Sequence, residues 1–263
     1  MGSAARFTHR PGDLVVGVLG GMGPLATVDF MARLVHLTPA DKDWDHLHVI
    51  VDSNPRIPSR TRAILYGEES PAPHLAEGAR RLEALGAGFI AVPCNSAAYY
   101  LSPARAAVAI PVIDPVVATA EAVRASGVQR PLVMGGMVTY RAGLYARALS
   151  PLGVAVVTPT DAEQDRVAAL IESLKQLDVS RAVVESARTI VTAGLARGAD
   201  SVILGCTEFG LIAQALATVL DVALPVFNSN ELLARATVDR ARAGWRGIAI
   251  STRATAGSAA PRR

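Results

Sequence analysis

Cys94 and Cys206 are the only thiols in 263 residues, and each closes an apolar run with polar residues directly behind it. The contexts are GFIAVPCNS (88–96) and DSVILGCTE (200–208). Each run reads as a buried strand, and Asn95 and Ser96 in one, Thr207 and Glu208 in the other, read as the start of a helix. Free backbone N–H groups at a helix start favour a thiolate and can also hold an anion. A lone strand-end Cys is more often a small buried hydrophobe, but two in matching places point to shared chemistry. A thiolate and a thiol on opposite sides of one carbon can take a proton from one face and return one to the other, inverting a stereocentre. A redox disulfide would instead need sulfur–sulfur contact, so the duplicated placement suits inversion better.

The α-proton of an amino acid is a poor acid, so such a site also needs preorganised donors for the developing carbanion. The candidates are the backbone amides of the Gly20–Gly23 turn (with Gly21, Met22 and Gly23), together with Asn95, Ser96 and Thr207. Pyridoxal phosphate would need a Schiff-base lysine, and the two lysines, Lys42 and Lys175, lie in no such context. The loop SNPRIPSRTRAIL (53–65) supplies Arg56, Arg60 and Arg62, and a guanidinium suits bidentate recognition of a carboxylate. A solvated basic loop is the plain alternative for Arg56 and Arg62.

The elements that must position these groups alternate. Short apolar runs at 14–20, 47–53, 88–94, 110–114, 130–135, 153–159, 200–206 and 224–228 are separated in most cases by helix-length segments such as 71–87 and 180–199. Strands buried on both faces with crossover helices mean parallel sheets in an α/β fold. Their order repeats. VLGGM (18–22) is echoed by VMGGM (133–137), GAGFIAVPCNS (86–96) by GADSVILGCTE (198–208), and IPVID (110–114) by LPVFN (224–228), at offsets of 115, 112 and 114 residues. The chain therefore reads as two similar domains, 12–114 plus 226–250 and 115–225, with 1–11 and 251–263 as disordered tails. Ligands bind at the carboxyl ends of strands in open α/β sheets. A pseudo-two-fold axis between the domains would set the two thiols across one cleft.

Other classes fit less well. GVLGGMGPLATVDF (17–30) contains G-x-G-x-x-A at Gly21, Gly23 and Ala26, the outline of a dinucleotide turn. A ribose-binding acid is expected about 20 residues on, whereas Asp52 lies 29 residues past Gly23. The formal charge of +3 is carried by the tails, where Arg6, Arg10, Arg253, Arg262 and Arg263 face no acid; without those five the body stands at −2. A nucleic-acid face is not indicated. No C-x-x-C or histidine pair suggests a metal, no apolar run reaches the roughly 20 residues of a membrane span, and no secretory signal is visible. The expectation is a cytoplasmic protein.

Four motifs, GVLGGMGPLAT, IPSRTRAIL, PCNSA and ILGCTE, stand in order over residues 14–250. Together they resemble the PLP-independent aspartate/glutamate racemase family, in particular its aspartate-racemase branch. The resemblance implies a homodimer of two-domain α/β subunits that needs no cofactor and holds an acidic amino acid between Cys94 and Cys206 as acid/base pair. It implies further that Asn95, Ser96 and Thr207 hold the α-carboxylate and amino group, and that Arg60 binds the side-chain carboxylate. Lys175 in LIESLKQL and Thr139 in TYRAGLY match a lysine near the site and a threonine lining the second-domain pocket. Three departures stand out. Ala98 replaces the usual histidine of C-N-T-A-H, Ser96 replaces its threonine, and Gly135–Gly136 follow Met134 where a threonine is common. Relatives in the wider superfamily decarboxylate or isomerise diacids, and retention of both cysteines favours racemisation among these.

Overall fold

The computed structural model describes residues 14–220 and 224–254, with side chains through residue 243. The tail expected at 1–11 lies outside the described residues, as do 255–263; residues 251–254 continue the last helix. Seven strands are described, β1 (Val16–Gly20), β2 (Val49–Ser53), β3 (Phe89–Ala91), β4 (Val112–Ile113), β5 (Pro131–Gly135), β6 (Ser201–Gly205) and β7 (Val226–Asn228). The helices are α1 (Pro24–Leu37), α2 (Arg60–Tyr66), α3 (Ala72–Ala84), α4 (Ser102–Ala107), α5 (Pro115–Ser126), α6 (Met137–Arg141), α7 (Leu144–Leu149), α8 (Asp161–Lys175), α9 (Arg181–Ala196), α10 (Ala213–Val219) and α11 (Ser229–Ala254).

The strands form two parallel sheets flanked by helices, ordered β2-β1-β3-β4 and β5-β6-β7. The run at 153–159 would be the fourth strand of the second sheet, but it is reduced to one parallel bridge, Leu132 to Val157. Val157 N–H donates to the Pro131 carbonyl, Val133 N–H to the Val157 carbonyl, and Ala155 N–H to the Gln129 carbonyl. The next bond would need an N–H from residue 131, which proline lacks. With Val157 counted beside β5, both sheets have the same order, and the repeated motifs fall on β1 and β5, β3 and β6, β4 and β7.

Alternation along each strand splits the core into layers, because successive side chains point to opposite faces. In the first sheet Val16, Val18, Phe89 and Ala91 pack with Phe30 and Leu34 of α1 and with Leu233, Ala234 and Val238 of α11. On its other face Leu19, Ile90 and Val92 meet Leu75, Ala79 and Leu82 of α3. In the second sheet Leu132, Met134, Val202 and Leu204 face α8 and α9, while Val133, Ile203 and Phe227 face α5 and α7.

Two helices exchange sides. α5 follows β4 yet packs on the second sheet, and α11 follows β7 yet packs on the first. Each opens on a side-chain cap at the last residue of the repeated motif. Asp114 Oδ1 accepts the Val116 and Val117 N–H groups at 2.9 and 3.1 Å, and Asn228 Oδ1 accepts those of Asn230 and Glu231 at 3.1 and 3.4 Å. Such caps contribute about 1 kcal/mol each, and here they fix where the chain crosses between sheets.

Candidate active site

Both cysteines follow the carboxyl ends of central strands, Cys94 after β3 and Cys206 after β6. The segments behind them are five-residue 3-10 turns, Ser96–Tyr100 and Thr207–Leu211. The sequence pattern suggests α-helix starts there. Pro103 cannot donate the next helical bond back into the first turn. In the second, Gly210 lies so close to α1 that an added Cβ would stand 3.1 Å from the Asp29 carboxylate.

The glycine turn of each half faces the cysteine turn of the other. A Cβ on Gly23, after β1, would lie 3.6 Å from Glu208 Oε1, and a Cβ on Gly136, after β5, would lie 3.9 Å from Ser96 Oγ. Cys94 lies close enough to Cys206 for its charge to disfavour a charge on the Cys206 sulfur. Four strand-end turns thus meet at the junction of the two sheets.

Cys206, half-buried, donates its S–H to Glu208 Oε2 at 2.9 Å. Burial pushes its thiol well above the usual range, the Glu208 carboxylate adds to this, and Cys94 adds more, against a smaller opposing effect of the Glu208 backbone N–H. This corrects the expectation of a helix dipole that favours a thiolate, because at Cys206 the surroundings hold the neutral form. Thr207, buried, also turns its hydroxyl toward Glu208 Oε2, at 3.3 Å. Lys175, at the end of α8, pairs with Glu172 at 2.7 Å. Burial lowers its affinity for a proton, but Glu172, Glu208 and Cys206 outweigh burial and hold the ammonium charged.

Around Cys94, which is 5% exposed, the first half supplies the surroundings. Met22 packs its side chain into the same cluster as Cys94, so only its backbone faces outward chemistry. Its carbonyl accepts Arg60 Nη2 at 2.8 Å, and Arg60 Nη1 donates to the Pro58 carbonyl at 3.3 Å. Arg60 Nε is buried with no partner, and Tyr100, in the turn behind Cys94, donates to the Arg60 carbonyl at 3.0 Å. Asn95 is fully engaged at both ends of its amide, accepting from Tyr145 and donating to Ser229. Thr139 packs over Gly135 as Thr27 packs over Gly20, and its hydroxyl is buried with no partner. Ala98 packs against the apolar cluster around Tyr145.

Gly21 is the site candidate with an internal explanation. Its φ is +87° and an added Cβ would stand 2.4 Å from the Asn54 backbone, so the close approach that requires glycine is to the following loop. Asp52, the acid at the end of the next strand that a ribose would need, pairs with Arg81 at 2.7 Å. The dinucleotide reading loses both its glycine and its acid. Among the described residues no three His, Cys, Asp or Glu side chains gather as for a metal ion, and no helix is long and apolar enough to cross a membrane.

Sequence reasoning passed over Glu208, Tyr145 and Ser229. A carboxylate two residues past a thiol was a usable signal for Glu208. Tyr145 and Ser229 meet Asn95 only through tertiary packing, 50 and 134 residues away.

Two matched parallel sheets whose strand-end turns converge at their junction give an α/β frame with both cysteines at its centre, and sequence similarity places that frame in the amino-acid racemase class. The chain belongs to the family described as Asp/Glu/Hydantoin racemase, whose sequence pattern matches residues 19–237. It is 27% identical over 228 residues to the broad specificity amino-acid racemase of Bacillus subtilis strain 168, covering 85% of this chain and 96% of that protein. The aspartate racemase of Picrophilus torridus superposes with a TM-score of 0.77 at 28% identity, over 87% of this chain and 94% of that one. An aspartate racemase homologue from Pyrococcus horikoshii superposes with a TM-score of 0.70 at 27% identity, over 86% and 98%.

Proposed function

We propose that Cys94 and Cys206 invert the α-carbon of an acidic amino acid, without a cofactor, by removing the proton from one face and delivering one to the other. The observation that supports this most is the meeting of the two cysteine turns across the sheet junction, each opposite the other half's glycine turn. In one direction Cys94, as thiolate, takes the α-proton while the Cys206 thiol gives its proton to the opposite face. One C–H bond breaks and one forms, Cys94 ends as thiol and Cys206 as thiolate. The carbanion between these events needs donors on its carboxylate, which the backbone amides of Gly23 and its neighbours and the hydroxyls of Ser96 and Thr207 supply. The Cys206 thiolate arises beside Glu208, at an electrostatic cost that the Lys175 ammonium offsets. In the reverse direction the roles exchange.

For the side chain, Arg60 has its unpartnered Nε–H to offer, and Thr139 an unpartnered hydroxyl. An acidic substrate suits this pair, and aspartate racemases stand among the similar proteins. The exposed Lys42 and the ion-paired Lys175 are both poor Schiff-base candidates. Homodimer formation is part of the reading. Val28 and Val35, exposed and seven residues apart on one face of α1, offer apolar side chains for such a contact. Free thiols suit a reducing, cytoplasmic setting.

The test is α-proton exchange in heavy water, without added cofactor, on both enantiomers of aspartate, glutamate and neutral amino acids. Deuterium should enter Cα as optical activity is lost, with acidic substrates preferred about tenfold or more. Absence of exchange across the panel would sink the racemase reading; preference for neutral substrates would remove the acidic one.

A further inference from the structure

One side chain touches both cysteine turns, and it is neither a thiol nor an expected substrate ligand. Tyr145, on α7 and 1% exposed, donates its hydroxyl to Asn95 Oδ1 at 2.6 Å, directly behind Cys94. Its ring covers Gly205, directly ahead of Cys206, so closely that a Cβ there would lie 2.8 Å from Cε2. From Asn95 the contact continues. Asn95 Nδ2 donates to Ser229 Oγ at 2.9 Å, and Ser229 Oγ donates to the Leu204 carbonyl at 2.7 Å, two residues ahead of Cys206. Asn95 and Ser229 are 3% and 0% exposed.

The polarity of this chain has a single solution. A backbone carbonyl only accepts, so the Ser229 hydroxyl proton goes to Leu204 and its lone pair faces Asn95. The amide nitrogen of Asn95 must then meet Ser229, which leaves its oxygen to accept from tyrosine. Burial raises the Tyr145 phenol far above the neutral range, which keeps it a donor. A connected buried network resists rearrangement.

We propose that Tyr145 is a positioning residue that, through Asn95 and Ser229, sets the separation of the Cys94 and Cys206 turns. The proposal rests on the two-thiol reading above. It also narrows the part of Asn95, whose amide is engaged at both ends and serves as the joint between the halves. Placement matters because a misalignment of about 1 Å can cost about a hundredfold in rate.

The experiment compares Tyr145→Phe and Ser229→Ala with the wild-type protein by two measurements. Tyr145→Phe keeps the ring on Gly205 and removes only the hydroxyl. The first measurement is racemisation kinetics, in which kcat should fall about tenfold or more while KM moves less than about threefold. The second is the rate of Cys94 alkylation by iodoacetamide, mapped by mass spectrometry, which needs no catalysis. Release of the Asn95 joint should speed it about threefold or more. The double variant should lose little beyond the larger single loss, as expected for members of one network. A folded Tyr145→Phe protein with kcat and Cys94 alkylation both within about twofold of wild type would overturn the proposal. Should Tyr145→Phe not fold, Ser229→Ala decides by the same two measurements. A wild-type protein that racemises nothing, yet whose Cys94 is unmasked by Tyr145→Phe, would end the racemase reading and keep the positioning role.

Discussion

The Cys206 thiol donates to the Glu208 carboxylate at 2.9 Å, which places a negative charge beside a sulfur whose proton burial already holds. Burial is the larger cause of the raised thiol, and Glu208 the next. In a Cys94→Ala background only Cys206 remains to titrate. Glu208→Gln removes the charge and leaves the burial, so the thiolate should form at lower pH. The midpoint of its ultraviolet absorbance should fall by about one unit or more, the usual effect of one close charge. An unchanged midpoint would mean that Glu208 exerts no hold on this proton.

Cys94→Ser and Cys206→Ser should each reduce racemisation by about a hundredfold or more, the typical share of one general acid or base. Each variant should retain some proton exchange on one enantiomer, because one thiol still faces one side of the α-carbon. Since L and D forms have equal free energy, kcat/KM must stay equal in the two directions in every variant. Full racemisation by Cys94→Ser would exclude the two-base scheme.

How far the sequence reaches depends on whether a signal is local. Apolar runs and the spacing of the motif repeats locate both sheets, because strand burial and strand-end turns are written in adjacent residues. The run at 153–159 falls short for a reason that lies on another strand, at Pro131. The 3-10 turns behind both cysteines depend on Pro103 and on the close approach of α1 to Gly210, and the second of these is tertiary. Asn95 illustrates the limit best. Its position beside Cys94 marks it for the site, but the Tyr145 and Ser229 bonds that occupy it come from remote segments, and no local pattern announces them.

Glu163 links the second half's helices and makes a pH-dependent contribution. It closes a capping box with Thr160 at the start of α8 and accepts Arg197 Nη1 and Nη2, at the end of α9, at 2.9 and 2.7 Å. Arg197 is the main cause that holds this carboxyl below the usual range, against burial. A carboxyl lowered in the folded state contributes stability above its unfolded value, near 4.3, and loses it as pH falls through the folded value. Arg197→Ala should therefore cost about 1–2 kcal/mol at neutral pH, a figure kept modest because Arg197 is one-third exposed. In urea titrations the gap between wild type and variant should close as pH falls below about 4. A gap independent of pH would assign the loss to packing of the arginine stem.

Gly21 and Gly127 separate two reasons for a glycine. Both have positive φ, +87° and +80°, but a Cβ on Gly127 meets nothing within 4 Å, while one on Gly21 meets the Asn54 backbone at 2.4 Å. Gly127→Ala should cost about 1–2 kcal/mol, the price of a left-handed alanine. Gly21→Ala carries that strain and must also push the Asn54 loop away from β1, so its cost should exceed about 3 kcal/mol. The displacement reaches the site as well. Met22 follows Gly21 directly, and its carbonyl holds Arg60, so surviving Gly21→Ala protein should show a raised KM for acidic substrates. Denaturant midpoints for the two variants, with KM for the folded fraction, check both halves of this argument. Equal losses would show that the close approach to Asn54 is relieved without cost, and glycine would then be required at residue 21 for its φ alone.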